Sequence, residues 1–196
     1  MTSNTPELET RRLILRRFTR EDIPAVYEIF SDPEVNRFLP WFPVKTMEEA
    51  REFYQAHYEQ AYQKPAGYYY AICRKEDNVP VGYMGLGARE PYELGYGLGR
   101  RFWGQGFASE AGRALLERLT RDGLPYVTAT HDANNPASGH VLRALGMTYR
   151  YSYREQWQPK NIPVVFRLYQ LDLNGTHETC PVYGEKHPEH FVEENL

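Results

Sequence analysis

The chain has few cysteines, no long apolar run and no surplus of positive charge, and each absence excludes something. Two cysteines, Cys73 and Cys180, stand far apart in 196 residues. No disulfide framework is expected, and a reducing cytosol, hence a cytoplasmic protein, is the default. No run of roughly 18 apolar residues occurs, so the sequence offers no membrane-spanning helix. The opening stretch MTSNTPELET is polar and lacks an apolar signal-peptide core. Net charge is −3, so no global basic field would attract nucleic acid. A Gly-Lys-Ser/Thr sequence is missing, which excludes a Walker A loop. There is no internal repeat and no low-complexity run.

What remains is ordinary globular composition, 41% hydrophobic and 25% charged, in a chain long enough for a sizeable core. Aromatic content is high, with 16 tyrosines. Such rings line clefts and interfaces, and a tyrosine-rich sheet is the plainer account.

Taken in order, Leu13–Phe18 reads as a strand. Thr19 and Asp22 resemble a capping box, and Ile23, Val26, Tyr27 and Phe30 repeat as one helical face. The stretch Phe38–Pro43 is an apolar loop whose Trp41 and Phe42 either line a substrate mouth or plug the core. Thr46 and Glu49 open a second helix that ends before Pro65. Tyr68–Arg74 and Val79–Leu86 form a hairpin about Glu76-Asp77-Asn78. Strands are also expected at Tyr126–His131, Met147–Trp157 and Ile162–Asp172, the last two joined at Gln158-Pro-Lys-Asn161. Asn135-Pro136 starts a short helix that stops at Gly146. One domain over residues 9–173 and a polar tail over 174–196, packed on the domain or on a partner subunit, follow from this pass.

The stretch Glu93–Leu119 organises the rest. Glu93–Leu98 reads as a strand, Arg100–Gly106 as a turn rich in arginine and glycine, and Phe107 onward as a helix. Phe107, Ala111, Ala114, Leu115 and Leu119 share one helical face. The first N–H groups of a helix lack internal partners, and the dipole adds positive charge at that end. A strand, a glycine turn and a helix start therefore suit a pyrophosphate. With Tyr126–His131 the segment makes a βαβ unit whose two strands run parallel.

Two ligands fit such a cradle. Gly104-x-Gly106-x-x-Ser109, with Asp132 after the next strand, nearly matches a dinucleotide fingerprint. The hairpins before it speak against a Rossmann domain. Arg101-x-x-Gly104-x-Gly106 instead resembles the R/Q-x-x-G-x-G/A motif of the GNAT N-acetyltransferases. Phe102-Trp103-Gly104, Gly106–Ala111 and the block Asn135-x-x-Ser138-x-x-Val141-Leu142-x-x-Leu145-Gly146-Met147 look like the RimJ/RimL-like branch, with Met147 where Phe is usual. The resemblance covers about Glu9–Asp172.

It implies an α/β (α+β) GNAT fold: a mixed, mostly antiparallel seven-stranded sheet with a central parallel pair and about four helices. It implies an acyltransferase that moves acetyl from acetyl-CoA to a primary amine by direct attack in a ternary complex. The amine would be a protein N-terminus, a small amine or an amino acid. Cofactor contacts would come from Tyr96, Leu98, Arg101, Trp103, Gly104, Gln105, Gly106, Phe107, Ala108, Asn135 and Ser138. Glu93 is the first candidate base and Glu155 the second; Ser138, or a tyrosine such as Tyr96, would serve the leaving thiolate. His131 reads as a packed or solvent-facing residue. His177-x-x-Cys180 and His187-x-x-His190 superficially have metal-ligand spacing but lack paired cysteines and knuckle glycines, so no metal is expected. A non-catalytic acyl-CoA sensor on the same fold is the alternative. A homodimer is the common default, and no nucleic acid or membrane partner is expected.

Overall fold

A computed structural model describes residues 4–194. The outermost residues of the polar opening stretch and of the tail lie outside that range. The strands are β1 (Leu8–Glu9), β2 (Leu13–Arg16), β3 (Tyr68–Arg74), β4 (Pro80–Leu86), β5 (Gly95–Leu98), β6 (Tyr126–Asp132), β7 (Thr148–Trp157) and β8 (Ile162–Asp172). The helices are α1 (Ile23–Ser31), α2 (Met47–Tyr54), α3 (Gln60–Tyr62), α4 (Phe107–Arg121), α5 (Pro136–Ala144) and α6 (Pro181–Lys186). A π-helical stretch, Gln55–Glu59, joins α2 to α3 into one rod.

Pairing divides the strands into an antiparallel sheet β1-β2-β3-β4-β5 and a second antiparallel sheet β6-β8-β7. The expected parallel pair survives as a single bridge, Glu93 with Thr128. Leu94 N–H donates to Thr128 O at 2.8 Å, and Thr128 N–H to Tyr92 O at 3.2 Å. Beyond that bridge β5 and β6 separate. The short β1 and helix α6 are additions to the sequence reading. Two-residue strands and six-residue helices carry too little periodicity to stand out.

Helix α4 forms as its pattern predicts: Ala111, Leu115 and Leu119 are fully buried. They pack with Leu13, Ile72, Met84 and Leu142 into a core on one face of the sheets. Each such aliphatic side chain contributes roughly 1.5–3 kcal/mol by leaving water. A second core, with Phe18, Val26, Phe30, Phe53 and Cys73, holds α1 and α2 on the opposite face of the five-stranded sheet. A third, with Tyr151, Tyr153, Phe166, Cys180 and Tyr183, holds the C-terminal segment on the same side of the three-stranded sheet. The gap between β5 and β6 thus connects two distinct faces of the molecule.

Candidate active site

Gly106 caps α4 at φ +77°, and Gly104 sits at φ +72°. Both angles lie in the left-handed region that side chains with a Cβ resist. Space is not the reason for these glycines: a Cβ on Gly104 would meet nothing within 4 Å. Their angles turn the chain so that the N–H groups of Gly104, Gln105, Gly106, Phe107, Ala108 and Ser109 donate to no acceptor among the described residues. The first helical bond is Glu110 N–H to Gly106 O, at 3.0 Å. Such a run of free donors at a helix start is a nest for an anion. Burial works against the charge of Glu110, but Thr10 and Arg12 outweigh it and hold this carboxyl below its ordinary range. Thr10 Oγ1 donates at 2.6 Å and Arg12 Nε at 2.7 Å.

The arginine side chains of the motif pair with carboxylates of α1 and the residue after it. Arg100 pairs with Asp32 at 3.0 Å and Arg101 with Glu28 at 3.1 Å. Neither Arg101 nor Gln105 lines the cavity described below. Gln105 instead donates to Arg101 O at 2.9 Å. Trp103 reaches back, its indole N–H donating to Leu98 O at 2.8 Å.

Strand register fixes the gap's polar lining. Gly99 N–H donates to Val81 O at 2.8 Å, and Gly82 faces Leu98. Alternation in an antiparallel ladder then turns the N–H groups of Tyr96 and Leu98 away from β4, toward the side where β5 has no strand partner. Their side chains join the α4/α5 core, where Tyr96 Oη contacts Ser138 Oγ at 2.8 Å and donates to Ser138 O at 2.9 Å. Burial pushes the Tyr96 phenol up to about 12, so it stays protonated. Ser138 N–H donates to the cap residue Asn135, 3.3 Å from its Oδ1.

The intervening residues Glu93, Gly95 and Gly97 face the other way. A Cβ on Gly97 would strike the Tyr83 ring at 2.7 Å, so close packing with Tyr83 requires that glycine. Glu93 is exposed and accepts a hydrogen bond from Thr130 Oγ1 at 2.6 Å. Glu155 lies 3.4 Å from both Lys186 Nζ and His187 Nε2. Burial pushes the His187 imidazole below its ordinary value, against the pull of Glu155.

A cavity of about 1290 Å³ runs through this arrangement. It touches Gly104, Gly106–Ser109, Asn135 and Ser138 on one side and Glu93, Tyr153, Glu155 and Tyr183 on the other. Trp41 also lines it, its indole donating to Asn36 Oδ1 at 3.0 Å, while Phe42 points to solvent. A smaller hollow of about 400 Å³ between α1 and α2 holds none of the candidate residues.

Two specific contacts were not anticipated. Lys160 in the β7–β8 turn donates to Asn36 O at 2.6 Å and Arg37 O at 3.2 Å, tying together the two loops at the mouth. Val182, Tyr183 and Lys186, from a segment with no motif, form part of the wall. The tail histidines serve packing. His187 stacks on Tyr153 at 4.2 Å, and His190 lies 4.4 Å from the Tyr151 ring. Cys180 is buried. Among the described residues no cluster of three or more metal-ligating side chains occurs, and no helix is long and apolar enough to cross a membrane. His131 is buried; its Nδ1 lies 2.8 Å from Asp132 O and its Nε2 has no partner.

A split sheet, a donor-rich turn at a helix start and a cavity crossing from face to face define an acyltransferase-type architecture. The chain belongs to the GNAT acetyltransferase family: the model of the acetyltransferase (GNAT) domain matches residues 12–148. It is an N-acetyltransferase. A Bacillus licheniformis protein described as the uncharacterized N-acetyltransferase p20 is 32% identical, covering 70% of this chain and 80% of its own length. Uncharacterized N-acetyltransferase YoaA of Bacillus subtilis is 28% identical, covering 85% and 96%. Among solved structures, the RimL ribosomal L7/L12 α-N-protein acetyltransferase in complex with coenzyme A superposes with a TM-score of 0.75 at 22% identity, over 87% of this chain and 100% of that one. A GNAT-family acetyltransferase from Bacillus anthracis gives 0.73 at 23%, over 85% and 98%. At these identities the structural likeness speaks for the fold.

Proposed function

We propose that the chain transfers the acetyl group of acetyl-CoA to a primary amine by direct attack in a ternary complex. The observation that carries this reading is the run of unpartnered N–H groups from Gly104 to Ser109 beside the gap between β5 and β6. The run suits a pyrophosphate, and the gap suits an extended arm. Asn135 Nδ2, which donates to no acceptor among the described residues, is a donor for that arm.

When bound, acetyl-CoA supplies a thioester carbonyl that gains negative charge on attack. The N–H groups of Tyr96 and Leu98 are the donors available to that oxygen, fixed by the β4–β5 ladder before the reaction begins. The amine enters from the opposite face and must first lose a proton. An α-amino group has a pKa of about 8 and a lysine about 10.4, so a carboxylate acting through water suffices at neutral pH. Glu93 fills this role: it faces the amine side, and Thr130 Oγ1 orients it. Glu155 already accepts from Lys186 Nζ at 3.4 Å and is the less available acceptor. On the cofactor face, the hydroxyls of Tyr96 and Ser138 share one site, and either can donate to the departing sulfur.

Titration calorimetry with acetyl-CoA, with NAD as control, followed by thiol release over amines and N-terminal peptides, tests the reading. Acetyl-CoA binding with release is expected. Binding without release from any amine would favour a sensor, and absence of acetyl-CoA binding would overturn the assignment of the Gly104–Ser109 nest.

A further inference from the structure

The amine side of the cavity has a chemistry of its own. Register places Phe166 opposite Tyr153, with Glu155 and Trp157 further along the same face of β7. Tyr183 closes this face from α6; its ring lies 6.0 Å from Tyr153, nearly parallel at 27°. Trp157 meets Phe166 edge-on at 5.0 Å. Four aromatic rings therefore line one wall of the cavity, beside the carboxylates of Glu93 and Glu155.

This end offers little to a polypeptide backbone. An extended peptide docks by pairing with a free sheet edge. Beside the site one such edge, on β7, is engaged at Ser152, which exchanges N–H···O bonds of 2.7 and 2.8 Å with Phe191. The bidentate pair of Arg167 with Glu193, closest at 2.6 Å, fastens the same segment. At the mouth, Lys160 spans the two loops that a polypeptide would have to pass.

We propose that the acceptor is a small primary amine carried on an aromatic body, an arylalkylamine in chemical class, and that Tyr183 of the C-terminal segment is a specificity-determining wall of its site. The inference rests on the acetyltransferase reading above. The ring would lie against Tyr183, Trp157 and the edge of Tyr153, whose face is taken by His187, while its ammonium faces the carboxylates. In the transfer a C–N bond forms and the thioester C–S bond breaks. The ammonium gives one proton to Glu93 or its water before attack. The nitrogen sheds a second as the amide forms, and the departing thiolate takes up one, leaving an N-acetyl amine, free thiol and one net proton.

The test measures thiol release from acetyl-CoA with phenethylamine, n-hexylamine, glycinamide and a serine-initiated hexapeptide, using the full chain. Phenethylamine is expected to exceed the peptide and glycinamide at least tenfold in kcat/KM, with n-hexylamine between. Tyr183→Ala should raise KM for phenethylamine tenfold or more, change kcat less, and leave acetyl-CoA affinity within twofold. Tyr183→Phe should restore KM. Trp157→Ala, on the half-exposed hairpin, should raise the same KM and serves if the Tyr183→Ala chain does not fold. A peptide or glycinamide used as well as phenethylamine, or acetyl-CoA binding with no turnover of phenethylamine, overturns the proposal while leaving the cofactor assignment standing. Failure to bind acetyl-CoA removes the underlying reading instead.

Discussion

The two sides of the split sheet are built from different materials. On the α4/α5 side most donors are backbone groups, the Gly104–Ser109 nest and the N–H groups of Tyr96 and Leu98, joined by Asn135 Nδ2 and the Tyr96 and Ser138 hydroxyls. On the amine side the lining is side chains, drawn from Glu93, β7, β8 and α6. A backbone site depends on chain geometry, and few sequences produce that geometry. A side-chain site depends on residues that meet only after folding, and many sequences can supply them. The first kind leaves a motif and the second does not.

Substitutions can break or sharpen this contrast. The largest effect is expected from Glu93→Gln, which removes the proposed base: kcat for any accepted amine should fall about 100-fold, within the range for general-base loss, with acetyl-CoA affinity unchanged by calorimetry. Equal loss of affinity would show that the amine side also shapes the cofactor side. Tyr96→Phe removes one hydroxyl from the pair with Ser138. It should cost roughly tenfold in kcat and be worsened further by Ser138→Ala, measured as thiol release at saturating acetyl-CoA. Gly106→Val forces a branched residue to φ +77°. Strain of about 1–2 kcal/mol should weaken acetyl-CoA binding about tenfold or more, read by titration. Arg101→Ala should weaken it less than threefold, because its guanidinium faces Glu28 outside the cavity. A larger loss would mean that side chains, too, make the nest.

The smallest effect concerns pH and the C-terminal segment. Hydrogen bonds from Arg167, partly opposed by burial, hold the Glu193 carboxyl below its ordinary value of 4.5. A lowered folded pKa contributes stability above 4.5, and that contribution is lost as pH falls through the folded value. The protection factor of the Ser152 amide, which bonds Phe191, should therefore fall as the solution is acidified below about 4.5, once the intrinsic slowing of exchange is divided out, and Glu193→Gln should flatten that dependence.

Much of the α4/α5 side was legible beforehand. Helix α4 announced itself through Phe107, Ala111, Leu115 and Leu119, and the turn through Gly104 and Gly106. Tyr96 and Ser138, considered separately for the thiolate, turn out to be one hydrogen-bonded pair. Arg101 and Gln105 were read as contacts from their motif; in the structure their side chains rest on Glu28 and on Arg101 O, while the Gln105 N–H belongs to the donor run. The wall supplied by Tyr183 and the tether from Lys160 could not be read at all. Each depends on a contact across the fold, Lys160 to Asn36 and Tyr183 to Thr128 among them. Short polar stretches carry no period that would announce such contacts.

The single Glu93–Thr128 bridge has a mechanical consequence. It is the vertex of a wedge whose arms are β5 and β6. At about 3.3 Å per residue, Leu98 lies roughly 16 Å from that vertex. Opening the wedge by about 4° moves the Leu98 amide by about 1 Å, a misplacement that can cost on the order of 100-fold in rate. Leverage of this kind makes distant packing, such as Leu142 in the core shared with α4, an expected aperture control: Leu142→Ala should lower the rate by altering the angle at which the two sheets part, with every residue of the cavity's lining unchanged.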